Sequence, residues 1–446
     1  MHELFSARTG HNGPFRKNRD IAQAGLDFDF RANLYQKIDT DGTDMARTST
    51  LSDLVDVTRE SKKTDAGGWD FTNGSTVGAL TEYDNNIGAV HPTAGLLVEE
   101  SSTNEISNPR FEGATPGVVG SGGVVPTDYI SAPGSATLEV IGTGTENGWP
   151  YLELEYTAAG AAFPQLYGSA PTASAGQTWT SSWGVKVISS TGGFLGHNFK
   201  IREYNGGTIT NDTLSSGYQE EPSVHSRGVF TATLTDGATT SARGGLLFGF
   251  NAAGSVRVRI YAPQLEQKEF PTSPIFPPAS TPGASTRDND LISLATSAWT
   301  SSGDYSLYFS GALNVKPTGT AVIAGLGDTF NDTTYVSHGA SSITASIRSG
   351  GASSASLTPG GQSAPVAGDT FKIAVGVQAN SFAFSLGGAT QATDTSGALP
   401  GAPVRLKFGS SAWSASYGNG YNGYFSDFRY FPERLTNAQL EALVGN

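Results

Sequence analysis

The chain reads as mainly β: a β-rich N-terminal region followed by two antiparallel β-sandwiches. Three observations carry that reading. Gly is very abundant, at 57 of 446 residues, while charged residues make up only 15%, the reverse of the balance that long helices and coiled coils need. Apolar residues alternate with polar ones over short runs, the two-residue period of a half-buried strand. Between these runs lie turns rich in Gly, Asn, Ser and Thr, as in Tyr204-Asn205-Gly206-Gly207, and many short strands so punctuated form sandwiches or barrels.

In chain order, 1–25 is polar, with a basic cluster at Arg16-Lys17-Asn18-Arg19, and reads as an arm. Region 26–104 reads as a separate β-rich adaptor. Leu26, Phe28 and Phe30 alternate with Asp27, Asp29 and Arg31, Val55 alternates with Val57, and Gly67-Gly68-Trp69-Asp70-Phe71 turns into a strand. Region 105–275 reads as the first sandwich. Leu152, Leu154 and Tyr156 alternate with Glu153 and Glu155; Trp179, Ser181, Trp183, Val185 and Val187 share a face; Val256, Val258 and Ile260 oppose Arg257, Arg259 and Tyr261. Segment 276–288, within a proline-rich stretch, reads as a semi-rigid linker, because proline favours extended polyproline II, and Arg287 reads as a protease site in it. Region 289–446 reads as the second sandwich, with alternation in 305–309, 371–377 and 404–408. It closes on a short helix: Thr436 caps it with Gln439 three residues on, Leu435 staples to Leu440, and Gly445 stops it.

Composition excludes several functions. There is no Cys, hence no disulfide, zinc-thiolate site or cysteine nucleophile. The formal net charge is -13, whereas nucleic-acid surfaces are basic; DNA, RNA and anionic membrane are not expected ligands. The start, MHELFSARTGHNG, has no apolar core of signal-peptide length, and no run approaches the ~18 apolar residues of a membrane helix. A G-x-S-x-G elbow, H-E-x-x-H and a P-loop are all absent. The six His, at 2, 11, 91, 197, 225 and 338, have no metal spacing. Glu146, Glu153, Glu155, Asp212, Glu220 and Glu221 are available as a glycosidase pair, but read as solvated carboxylates on strand faces and loops.

Two stretches resemble known families. Gly95-Leu96-Leu97-Val98-Glu99-Glu100-Ser101-Ser102-Thr103-Asn104 resembles a segment of phage and prophage spike and fibre proteins, those of gene transfer agents included, where it leads into a carbohydrate-binding β-domain. Asn108-Pro109-Arg110-Phe111-Glu112 and Ala262-Pro263-Gln264-Leu265-Glu266 resemble the first and last strands of jelly-roll carbohydrate-binding modules. Such modules hold a structural calcium near the ends, which the resemblance assigns to Glu112 and Glu266, though two carboxylates supply only part of the six to eight oxygens calcium takes. The end of the chain, 423–431 and 435–444, resembles the last strand and closing helix of laminin-G/concanavalin A-like jelly rolls.

These resemblances imply a virion-surface spike or fibre, made in the bacterial cytoplasm and released by lysis. It would attach to other virion proteins through its N-terminus and to host cell-surface polysaccharide through two jelly-roll sandwiches, without cleaving it. They imply a homo-oligomer, a trimer or a five-fold assembly at a capsid vertex. The competing readings are a glycan depolymerase using paired carboxylates and a structural decoration protein. Sugars stack their C–H faces on aromatic rings, so the candidate ligand contacts are aromatic and amide groups in polar loops. They are Trp149 and Tyr151 beside a turn, Tyr204, and Trp413, Tyr417, Asn419, Tyr421 and Asn422 in a glycine-rich stretch. Trp179 and Trp183, on one strand face, read as core. Gly327-Asp328-Thr329-Phe330-Asn331-Asp332 reads as an Asx-turn with a second reading as a calcium loop.

Overall fold

The computed structural model describes residues 26–30, 34–38, 44–48, 56–58, 63–65, 75–76, 81–83, 89–91, 95–218, 225–296, 300, 303–315, 319–361, 363–410 and 421–445. They are almost entirely antiparallel β, with one short helix at Asn437–Val444. The chain divides into two compact units, and neither is one continuous stretch. One draws on 1–58, 90–100 and 290–446; the other on 59–89 and 101–289.

The unit that contains 290–446 is a two-sheet sandwich. One sheet runs in the order Ala392–Asp394, Phe382–Leu386, Thr370–Val377, Tyr305–Leu313, Gly423–Phe431, Leu26–Asp29, Leu34–Ile38, Asp44–Thr48. The facing sheet runs Ala352–Leu357, Ile343–Ser349, Asp332–His338, Ala321–Thr329, Arg405–Phe408, Leu291–Ala295, Asp56–Thr58. Alternation puts Phe371, Ile373, Val375 and Val377 into the core between the sheets, while Ala374 faces the other way, where it meets Leu440, Leu443 and Val444 of the helix. The helix has the expected capping box of Thr436 and Gln439 and a left-handed Gly445.

Two expectations change here. The region 26–104 is not a separate adaptor. Leu26–Asp29 pairs with the 427–430 part of Gly423–Phe431, with Phe28 opposite Phe428, and Phe28 and Phe30 are fully buried in that sandwich core. Gly95–Val98 adds to the same strand, with Leu96 opposite Phe425. Period-2 patterning identifies a strand but not its partner, so 400 residues of intervening chain are invisible to it. Arg16, the other residues of 1–25 and the 67–71 turn lie outside the described residues.

The second change concerns 276–288, which belongs to the other unit and is packed into it. Ser285–Arg287 pairs with Ser102–Asn104. Arg287 is 1% exposed and its guanidinium donates to Ser273 Oγ at 2.7 Å. Arg110 donates to the Pro277 carbonyl at 3.0 Å and lies over the Phe276 ring. Proline content specifies an extended chain, and an extended chain packs along a sheet edge as readily as it spans solvent.

The rest of this unit is a sandwich built around two very long strands, Thr178–Asn205 and Ser241–Glu266, paired along nearly their whole length. The first half of one and the second half of the other belong to a sheet with Ala136–Glu146, Trp149–Ala158 and Ser226–Thr233. Their remaining halves form a sheet with Gln165–Tyr167 and Thr208–Leu214. Register shifts at 182–184, 187–189 and 192–196 mark bulges, which let strands bend and pass from one layer to the next. Gly192 is required at that corner: its φ is 64°, and an added Cβ would stand 2.2 Å from the Ala253 carbonyl oxygen. The core holds Trp179, Trp183, Tyr156, Phe199, Phe248 and Val258. Both tryptophans are core as read, and Trp183 Nε1 donates to Ser181 Oγ at 2.9 Å.

Asn108-Pro109-Arg110-Phe111-Glu112 is a turn rather than a first strand. The Asn108 amide holds it, donating to the carbonyls of Glu112 and Thr127 and accepting from Glu112 N, and Phe111 takes φ 62°. The 327–332 stretch is a tight hairpin turn, in which Asp332 Oδ1 accepts from Gly350 N and Gly401 N at 3.0 Å each.

Candidate functional site

In the unit of 101–289, one outer sheet face gathers chemistry that its sequence order does not suggest. On Thr178–Asn205, Phe199 and Ile201 point into the core, so Asn198, Lys200, Arg202 and Tyr204 point outward. On Ser241–Glu266, Ala242, Leu246 and Phe248 are core, which leaves Arg243, Gly245 and Leu247 outward. Leu166 is core, so Gln165 and Tyr167 join the face. The registers align these residues in rows: Tyr167, Gly245 and Lys200 in one, and Arg243, Arg202 and Asp212 in the next.

The polar groups interlock. Arg202 forks onto Asp212 through Nε at 2.6 Å and Nη2 at 2.8 Å, and Lys200 Nζ reaches Asp212 Oδ2 at 2.7 Å. Gln165 Oε1 accepts from Lys200 at 3.1 Å, Arg202 at 2.9 Å and the Tyr167 hydroxyl. Arg202 lies 4.6 Å over the Tyr167 ring and Arg243 lies 5.6 Å over the Tyr204 ring. Lys200 is only 3% exposed and Arg202 9%. Burial works against the Asp212 carboxylate, yet the hydrogen bonds from Arg202 and Lys200 outweigh it and hold its pKa below the ordinary value. Burial likewise draws the Lys200 ammonium down, with Asp212 opposing. Gly245 makes the row possible, because a Cβ there would stand 2.5 Å from Tyr167 Cδ1.

The outer face of the other sheet carries a charge lattice. Glu146 accepts from Lys186 at 2.6 Å, Arg259 at 3.0 Å and the Tyr261 hydroxyl at 2.5 Å. Glu153 accepts from Arg259 at 2.8 Å and from Arg257. The Lys186 and Tyr261 hydrogen bonds depress the Glu146 carboxyl to about 2. Burial opposes ionisation of Glu153, but its two arginines still leave its pKa below the ordinary value. Both carboxylates share Arg259, and neither is poised to donate a proton near neutrality. Glu155 lies on the same strand face, and Glu220 and Glu221 lie outside the described residues.

The candidate ligand contacts separate. Trp149 is fully buried, edge-on to His225 at 4.9 Å; the turn residues before it do not carry it to the surface. Tyr151 is half-buried beneath Arg259, 4.2 Å from its guanidinium. Tyr204 stands on the Lys200–Arg202–Arg243 face. Tyr421 is fully buried and Asn422 is 2% exposed. The Tyr421 hydroxyl donates to the Tyr424 carbonyl at 3.2 Å, and its ring lies 5.0 Å from Phe425. Glycine-rich flanks do not distinguish an aromatic packed beneath a turn from one displayed on it. Trp413, Tyr417 and Asn419 lie outside the described residues. The sequence reading missed Gln165, Tyr167, Lys200, Arg202 and Arg243. Alternation of Lys200 and Arg202 with Phe199 and Ile201 was a signal for two of them; nothing in the sequence places the others beside these.

The calcium assignment does not fit. Glu266 is fully buried. Its Oε1 accepts from Ser102 Oγ at 2.5 Å and Thr272 Oγ1 at 2.7 Å; its Oε2 accepts from Gln264 Nε2 at 2.6 Å and Thr272 N at 3.0 Å. Four donors fill the lone pairs a cation would need. Glu112 accepts instead from Ser280 N at 2.6 Å. Among the described residues there is no group of three or more His, Cys, Asp or Glu placed to hold a metal.

The chain is thus an antiparallel β-sandwich protein with a cationic sheet face, on which Tyr204 is half-buried and Tyr167 is enclosed beneath Lys200 and Arg202. Similar solved structures include the CBM40 of the Ruminococcus gnavus IT-sialidase, 12% identical, over 32% of this chain and 84% of that one, with a TM-score of 0.28. The tandem CBM22 domains of Paenibacillus barcinonensis Xyn10C are 12% identical over 76% of this chain and 99% of that one, at 0.24. The Trypanosoma rangeli sialidase is 8% identical over 71% and 68%, at 0.27. No family model matches the chain and no curated relative matches it. Likenesses at these scores assign no ligand, so the functional argument rests on the chain's own residues.

Proposed function

We propose that this chain is a virion-surface spike or fibre protein that attaches a phage or phage-like particle to host cell-surface polysaccharide by binding without cleavage. The observation that carries the binding reading is the face of Gln165, Tyr167, Lys200, Arg202, Tyr204 and Arg243. Tyr167, 1% exposed, is its floor, while half-buried Arg243 and Tyr204 set a hydrogen-bond donor beside a ring at its surface, the pairing that holds a sugar by its hydroxyls and its C–H face. The resemblance of 95–104 to phage spike and fibre proteins supports the virion assignment. Glu146 and Glu153, both held ionised by their cationic partners, do not together supply the protonated carboxyl that a glycosidase of this kind needs. Single sugar sites are weak, and copies joined in one assembly raise avidity by ~10²–10⁴; a homo-oligomer, a trimer or a five-fold array at a capsid vertex, fits that need.

Co-sedimentation with purified capsule from a host strain tests the reading. The protein is expected to pellet with the polymer and to release no reducing ends. A protein that stays in the supernatant with every capsule and lipopolysaccharide tried would leave the decoration role. Light scattering on the full chain should give a multiple of 46.3 kDa.

A further inference from the structure

The chain carries a formal net charge of -13, yet among the described residues of this one face three cations, Lys200, Arg202 and Arg243, meet a single paired carboxylate, Asp212. Arg202 and Arg243 stand directly opposite each other in register, and like charges so placed destabilise a sheet. Asp212 answers Arg202 and Lys200. Arg243 forms no ion pair among the described residues; its hydrogen bond goes to the Gly168 carbonyl at 2.6 Å, which leaves most of its five N–H donors unused.

Acceptors are short as well. The Gln165 amide oxygen already accepts from Lys200 and Arg202, which occupies both of its lone pairs. A neutral hydroxyl brought here would add an acceptor and leave the charge uncompensated. A carboxylate supplies about four acceptor sites and the opposite charge, and its planar fork matches a guanidinium. Tyr204, beneath Arg243, offers a ring beside that point.

We propose that Arg243, backed by Arg202 and Lys200, recognises the carboxylate of an acidic sugar, so that this face takes an acidic polysaccharide. The proposal rests on the carbohydrate reading of the same face and narrows it.

The test is affinity electrophoresis of the full chain through polygalacturonate, alginate and hyaluronate, each beside its carboxyl-reduced neutral form, with dextran sulfate as a polyanion lacking carboxylates. At least one acidic polymer should retard the protein, its reduced form should bind about tenfold less tightly, and added salt should weaken the retardation. Arg243→Gln should lose about tenfold in affinity for the same polymer while staying folded, with at most a small fall in melting temperature from the lost Gly168 hydrogen bond; Arg243→Lys should retain part of the affinity. Equal binding of acidic and reduced forms, binding of neutral polymers alone, or equal binding of dextran sulfate would overturn the acidic assignment while leaving glycan binding in place. Failure to bind any of the polymers would overturn the acidic assignment, and failure on host capsule as well would remove the glycan reading. The comparison of each polymer with its reduced form needs no variant, so it decides the matter even where Arg243→Gln folds poorly.

Discussion

At the scale of single residues, burial decides what an aromatic or acidic side chain does. Trp149 fills a fully enclosed position against Tyr261 and Ala262. Trp149→Ala should therefore cost about 3–5 kcal/mol, the usual loss for an emptied aromatic site. Calorimetry should show a sharply lowered melting temperature, and a mutant that melts like the parent would return Trp149 to the surface. Glu146 illustrates the acidic case. Its folded pKa, about 2, lies below the ordinary glutamate value of 4.5. A depressed carboxyl adds stability above the unfolded pKa and loses it as pH falls through the folded one. Melting temperature should decline from pH ~5 toward pH ~2, and that decline should be shallower in Glu146→Gln. Parallel curves for parent and mutant would dissociate Glu146 from acid sensitivity.

At the scale of elements, chain chemistry and packing do separate work. The closing helix is legible residue by residue, from Thr436 to Gly445, because capping is local. Thr436→Ala removes the oxygen that accepts from Gln439 N and should cost about 1 kcal/mol, readable as a shifted denaturation midpoint. The proline-rich segment is the opposite case. Arg287 is buried and its segment is zipped to Ser102–Asn104, so trypsin should spare the native bond after it. Rapid native cleavage there, with the flanking strands intact, would restore the linker reading.

At the scale of the whole molecule, each unit is assembled from pieces distant in sequence. Phe28 and Phe30 lie in the same core as Phe309, Phe408 and Phe428, with Phe30 edge-on to Phe408 at 5.7 Å. A chain that begins after residue 33 loses both rings and leaves the 427–430 edge without its partner. It should melt well below the full-length protein or aggregate, as uncovered strand edges do. Equal melting temperatures would show that this strand is dispensable.

The β class, the alternation of Leu152, Leu154 and Tyr156 or of Val256, Val258 and Ile260, the core placement of Trp179 and Trp183, and the caps of the closing helix are all legible in the residues alone. Each depends on neighbours within a few residues, and local sterics and hydrogen bonding act at that range. Folding in three dimensions was needed to show that 26–30 completes a sheet with 423–431, that the proline-rich segment is packed, that Tyr421 is core, and that Lys200, Arg202, Asp212, Arg243, Gln165 and Tyr167 share one face. Pairing register across long loops sets those outcomes, and a two-residue period carries the face of each strand but not the identity of the strand beside it.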